Sequence, residues 1–288
     1  MALGATVQGA QHRREGKPNQ DALGLWPPEA GSEATLSTIG AAVADGHGHA
    51  RGIRAATGAH LAVDTALGLL AKAAPDLAAG TGARLFLREL PESVAAGWNE
   101  RVAAHMRAHP FSPDELACAC AAGGGEVLAA LERSPEVAYG TTIILAAATP
   151  CHLLLAQLGD GDVLLAGASG EVSRPIPRDP ELVANRTWSL SQPDAPRRFK
   201  TLLLPADAAA ELVVLATDGY SNSYGNPSGF ERVGTDMLDT LRSHGYRALA
   251  TNLPAWLAST TEQGSGDDIT VALLARATPS AGKETAAR

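Results

Sequence analysis

Aromatic side chains are scarce: Phe, Tyr and Trp make up 4% of the 288 residues. A core must therefore be built from Ala, Leu and Val, and the scarcity argues against recognition of single-stranded nucleic acid by base stacking. Positive charge is also in deficit. Lys and Arg number 23 against 31 Asp and Glu, for a net charge of -8. Such a chain carries no overall basic footprint for nucleic acid or for an anionic membrane. Its three cysteines, Cys118, Cys120 and Cys151, form neither a C-x-x-C motif nor a zinc-ligand spacing. They are expected to be reduced, buried and inert, which suits the cytosol. No apolar run reaches membrane-spanning length. The most apolar helical stretch, residues 55–74, is interrupted by His60, Asp64 and Lys72. The N-terminus lacks a basic start followed by an apolar segment, so no leader and a cytoplasmic location are expected.

What is present is globular in character, with 45% hydrophobic and 19% charged residues. The length allows one large core or two small ones. No repeat and no linker is visible, so residues 1–277 are expected to form one catalytic domain, with 278–288 a disordered tail. Short strands are expected near Thr6 and Val7, over 23–26 and over 38–44, with residues 11–21 forming a loop between the first two. Four-residue spacing of Val94, Trp98, Val102 and Met106 marks a helix from about Pro91 to Pro110. It follows a helix over 55–73 and precedes one opened by Pro113 and interrupted at Gly123-Gly124-Gly125. Runs at 141–148, 151–158 and 163–166 are joined by connections too short for a helix, which predicts antiparallel hairpins. Residues 174–200 read as a long polar loop. A strand over 211–217, helices over 232–244 and 246–261, and a strand over 269–276 complete the chain. Consecutive strands with helices in pairs point to antiparallel sheets with helices packed outside, an α+β class.

Aspartates sit where these strands end. Asp45, Asp160, Asp218 and Asp267 each follow an apolar run directly or across a short turn, and Asp21 follows the first loop. Three are followed by glycine: Asp45-Gly46, Asp160-Gly161 and Asp218-Gly219. A strand end holds a carboxylate rigidly yet lets it face a cleft, and glycine permits tight turns and close approach of backbone carbonyls. One Asp-Gly alone is an ordinary turn; the joint pattern is not. Convergent carboxylates repel unless a cation neutralises them. Oxygen-only donors suit Mg²⁺ or Mn²⁺, and two such ions about 3.5–4 Å apart can activate water and clamp a phosphate.

In order along the chain, Asn19-Gln20-Asp21, Asp45-Gly46-His47-Gly48, Tyr139-Gly-Thr-Thr142, Leu158-Gly-Asp160, Ala216-Thr-Asp218-Gly219 and Gly264-Ser-Gly-Asp267-Asp268 resemble the motifs of the metal-dependent protein phosphatases of type 2C, the PPM family. The resemblance spans roughly Gly4 to Ala275. It implies a four-layer α-β-β-α sandwich, two central antiparallel sheets flanked by paired helices. It also implies a serine/threonine phosphatase that hydrolyses phosphoserine or phosphothreonine by attack of a metal-bridged hydroxide. Two tight Mg²⁺ or Mn²⁺ ions would be held by Asp21, Asp45, the Gly46 carbonyl, Asp218 and Asp267, with Asp45 as the bridge. Asp160 would serve a third, weaker ion, and His47 would be the general acid. A phosphorylated protein substrate and a partner serine/threonine kinase are implied. The sequence departs from the pattern in three places. Gln20 stands where an acid is usual and Asp268 where asparagine is usual. Gly16 replaces the arginine that grips phosphate, leaving Arg14, with Arg13 and Lys17, as its candidate substitute. His49 reads as structural. Two rival readings remain: a weakly active phosphoprotein-binding module of the same fold, and a two-metal hydrolase of small phosphoesters.

Overall fold

The computed structural model describes residues 1–28, 38–182, 186–206 and 210–275. The chain opens with β1 (Ala2–Val7), a short helix α1 (Ala10–Glu15) and β2 (Ala22–Trp26). β3 (Ile39–Ala44) precedes three long helices, α2 (Ala55–Ala78), α3 (Ala83–Ala108) and α4 (Pro113–Arg133). A 3₁₀ turn at Pro135–Tyr139 leads into β4 (Ile143–Ala148), β5 (His152–Leu158), β6 (Asp162–Gly167) and β7 (Val172–Ser173). After α5 (Ala195–Arg198) come β8 (Lys200–Pro205), β9 (Ala210–Ala216), α6 (Asp218–Ser221), α7 (Pro227–Gln263) and β10 (Ile269–Ala275).

The strands form two five-stranded sheets, ordered β1-β10-β9-β6-β7 and β2-β3-β4-β5-β8, with every pairing antiparallel. Central strands are covered on both faces, and alternation sorts their side chains. In β3, Ala41 and Val43 face the other sheet, among Ile144, Leu155, Val213 and Leu215. Ala42 and Ala44 face the helices, among Ala59, Ala62, Leu70 and Trp98. The outer face of the first sheet packs its Leu212, Val214 and Val271 against Phe230, Leu249, Leu253 and Leu257 of α7. The layers are therefore α2/α3, sheet, sheet, α7, the expected α-β-β-α sandwich. Small residues let α2 lie close: a Cβ on Gly58 would fall 1.8 Å from the Tyr139 carbonyl oxygen. The carbonyl of Gly58 accepts from the fully buried Trp98 Nε1–H at 3.0 Å, which ties α3 to α2. No helix among the described residues is long and apolar enough to cross a membrane.

Several expectations needed correction. Residues 10–15 are helical rather than loop, because their N-terminal amides find partners elsewhere: Ala10 N–H on Thr261 Oγ1 and Gln11 N–H on the Gly266 carbonyl. The second long helix starts eight residues earlier than Pro91, at Ala83. Interior proline costs about 3 kcal/mol, and burial of Leu87, Leu90, Val94 and Trp98 in one stripe outweighs it. The connection 159–161 does not close a hairpin. β5 and β6 lie in different sheets, so the chain changes layer there. β8, unforeseen, extends the second sheet beside β5. The three cysteines are exposed, not buried. The breaks at the glycine run and between the last two helices do occur, at Gly124 (φ 69°) and Gly245 (φ 79°). The expected tail, and the last residue of the final strand, lie outside the described residues.

Candidate metal centre

The layer order brings five strand ends to one rim. Asp21 precedes β2 and Asp45 follows β3; Asp160 lies in the crossing between sheets; Asp218 follows β9 and Asp267 precedes β10. The Asp45 turn is built by backbone bonds. The Asp45 carbonyl accepts from Thr142 N–H (2.9 Å) and Thr141 Oγ1–H (2.8 Å), and Asp45 N–H donates to Thr142 Oγ1 (3.0 Å). Gly46 N–H donates to the Gln20 carbonyl at 3.2 Å. A side chain at Gly46 would collide with the Ala55 and Gln20 carbonyl oxygens at 2.6 and 2.7 Å, so only glycine fits. Thr217 is a clamp on the other sheet. It donates through Oγ1 to Asp21 Oδ2 (2.7 Å) and accepts from Thr270 N–H (2.9 Å).

Four of the five, Asp45, Asp160, Asp218 and Asp267, line an open cleft of about 950 Å³; Asp21 lies buried beneath it. Burial is the first cause that raises the affinity of all five carboxyls for protons, and repulsion from neighbouring aspartates adds to it, from Asp162 for Asp160 and from Asp268 for Asp267. Asp45 feels Asp21, Asp218 and Asp267; Asp218, pushed up to about 6, feels Asp160 and Asp267. Asp160 accepts from Thr187 Oγ1 (2.8 Å) and Asp218 from Asn222 Nδ2 (2.9 Å).

His47 also lines the cleft, its N–H bonded to the Gly140 carbonyl at 3.0 Å. Burial, with the His49 ring 5.9 Å away, holds its imidazole down to about 4. Its Nε2 and the Oε1 of Gln20 are buried without a partner. The orphaned Gln20 oxygen beside crowded carboxyls fits a hard divalent cation. Arg14 is exposed on α1 and is not among the described residues lining the cleft; Lys17, Arg51 and Arg186 are. Lys17 is paired with Glu15 at 2.7 Å.

Two residues of the rim escaped the sequence reading. Asp268 is buried, and its carboxylate accepts from Gly9 N–H (2.6 Å), Gln20 N–H (2.7 Å) and His12 Nδ1 (2.9 Å). It bolts α1 and the approach to Asp21 onto the start of β10. Its identity as an extra acid was visible; its partners were not. His12 carries no local signal at all.

The model of the family described as Protein phosphatase 2C matches residues 8–258. Comparison with curated proteins gives no match. Among solved structures, PppA, a key regulatory component of T6SS in Pseudomonas aeruginosa, is 18% identical with a TM-score of 0.59, over 95% of this chain and 96% of that one. The serine/threonine phosphatase PstP/Ppp of Mycobacterium tuberculosis is 17% identical, TM-score 0.55, over 95% and 97%. A bacterial serine phosphatase is 15% identical, TM-score 0.58, over 95% and 96%. These neighbours share the two-sheet α+β sandwich. With a family match over most of its length, the chain belongs to the protein phosphatase 2C family.

Proposed function

We propose that this chain is an active, divalent-cation-dependent protein phosphatase that removes phosphate from serine or threonine. The observation that carries the reading is the convergence of Asp45, Asp160, Asp218 and Asp267 from both sheets on one cleft, with Asp21 buried at the same rim, a crowding that protons or cations relieve. Asp21, Asp45, the Gly46 carbonyl, Asp218 and Asp267 would hold two Mg²⁺ or Mn²⁺ ions, and Asp160, bonded instead to Thr187, a weaker third. When bound, such ions let the carboxylates ionise together and supply a nucleophile from water at neutral pH.

The protein's own groups do the rest. Lys17, Arg51 and Arg186 on the cleft walls offer counter-charge to the phosphate, in the place first given to Arg14. His47 lines the cleft, and its Nε2 is buried without a partner. Left alone it is neutral near pH 7. The dianion of a bound phosphate ester raises its proton affinity, so it can gain a proton with substrate and pass it to the departing alkoxide. A phosphorylated protein made by a serine/threonine kinase, in the cytoplasm, is the substrate this reading calls for. The test is release of phosphate from phosphoserine and phosphothreonine peptides after chelation, with and without Mn²⁺, alongside nucleotides. Mn²⁺-dependent release from peptides is expected. Release only from nucleotides would make it a small-phosphoester hydrolase, and none from any substrate would make it a binding module.

A further inference from the structure

His12 has the geometry of an oriented ligand. α1 is fixed at its start by Gly9 N–H on Asp268, Ala10 N–H on Thr261 and Gln11 N–H on the Gly266 carbonyl. The imidazole is only 13% exposed, and its Nδ1 lies 2.9 Å from Oδ2 of Asp268, itself 3% exposed. That oxygen already accepts from Gln20 N–H, so it is an acceptor and Nδ1 must be the donor. In the neutral ring the lone pair is then on Nε2, and His12 lines the cleft. Nε2 stands 3.9 Å from Asp267 Oδ1, too far for a hydrogen bond. A Cβ built on Gly48 would lie 3.9 Å from Nε2 and 2.7 Å from the partnerless Oε1 of Gln20, so these two donors border one space. Donor atoms of His12, Asp267 and Asp268 all fall within 4.8 Å of one another. With bonds of about 2.1 Å, two ligands of one octahedral ion stand about 3 Å apart when adjacent and about 4 Å when opposite.

We propose that His12, through Nε2, is a nitrogen ligand to a divalent cation held with Asp267, and that buried Asp268 behind it sets the ring's tautomer and direction. A carboxylate that holds the far nitrogen of a metal-bound imidazole is a common arrangement. The inference rests on the reading of the cleft as a cation site. Its consequence is a donor set no longer purely oxygen, which shifts preference from Mg²⁺ toward Mn²⁺ and Co²⁺.

The experiment is pulsed electron paramagnetic resonance of the chelator-treated full chain titrated with Mn²⁺. Wild type should show ¹⁴N coupling from a directly bound imidazole. The coupling should vanish in His12→Gln and persist in His47→Gln. Calorimetry should show His12→Gln weakening one Mn²⁺ site by at least the roughly 10- to 100-fold that loss of an outer-shell partner costs, with Co²⁺ losing more than Mg²⁺. Mn²⁺ bound to wild type without nitrogen coupling would overturn the inference and leave the phosphatase reading intact. Under that result His12 is an ion-pair partner of Asp267 and Asp268. Coupling that disappears with His47 instead would also overturn it. No Mn²⁺ binding by wild type would defeat the reading of the site itself, and this inference with it. The wild-type spectrum decides even where His12→Gln fails to fold.

Discussion

Asp45 and Asp218 hold opposed duties, since the same crowding that attracts a cation penalises the cation-free fold. Asp45→Asn removes one charge from the group it forms with Asp21, Asp218 and Asp267. In chelator, this variant should melt above wild type; with saturating Mn²⁺ it should melt below, and its turnover on phosphopeptide should be nearly lost. Thermal melts in the two buffers check the crossing, and a variant less stable than wild type in chelator would contradict it. His47 has a different signature. A serine alkoxide needs a proton to leave, while p-nitrophenolate does not. His47→Gln should slow phosphopeptide hydrolysis by about 10²- to 10⁴-fold and p-nitrophenyl phosphate hydrolysis far less. Equal losses would mean that His47 positions something common to both substrates. These residues were legible because each aspartate stands beside a strand end with its own glycine or threonine signal. His12 and Asp268 were not, because their bond joins positions 256 residues apart and neither type is unusual locally.

At the scale of elements, Arg54 joins four pieces of chain. Its guanidinium meets both oxygens of Glu115 at 2.7 and 2.9 Å, the carbonyls of His109 and Pro110, and the hydroxyl of Tyr139. It stacks 4.6 Å over the Phe111 ring. The start of α2, the α3–α4 turn, the cap of α4 and the strand entry beside Gly46 are thus one assembly. The hydrogen bonds from Arg54 hold the Glu115 carboxyl down to about 2. A depressed carboxyl stabilises the fold above its unfolded value and loses that contribution as pH falls through the folded one. The Arg54–Glu115 share should fade between about pH 4.5 and 2. Denaturant midpoints of wild type and Glu115→Gln should differ at pH 7 and converge by pH 2. A constant gap would remove the pair from acid unfolding. The sequence showed α4 and its proline but no such hub, because arginine and glutamate 61 positions apart make no local pattern. Loop length likewise excluded a helix between β5 and β6 without excluding a change of sheet. Three extended residues span about 10 Å, which is also about the distance between packed sheets. β8 escaped because its Leu202-Leu203-Leu204 run hides the alternation of a half-exposed edge strand.

For the whole molecule, the cleft draws aspartates from both sheets, so the spacing of the layers sets the spacing of the carboxylates. Ala41 is fully buried between the sheets. Ala41→Leu should cost about 1–3 kcal/mol by overpacking. It should also weaken Mn²⁺ binding measured by calorimetry, although it touches no ligand. Unchanged affinity in a destabilised variant would show that the rim holds its shape independently of the interior. The sandwich was legible from strand runs, paired helices and motif order, since these repeat the alternation that burial demands. The partition of strands between sheets was not, because it depends on which faces meet. The crossing at Gly159–Gly161 carries a last consequence. Asp160 stands at the seam, with Asp21 and Asp45 to one side and Asp218 and Asp267 to the other. An unfolded chain has no such assembly, so on the proposed reading cations would bind the native state alone and their free concentration would become a thermodynamic variable of folding. At one hundred times the dissociation constant, each such site would add about 2.7 kcal/mol. The ion supply would then govern how long the protein survives as well as whether it turns over substrate.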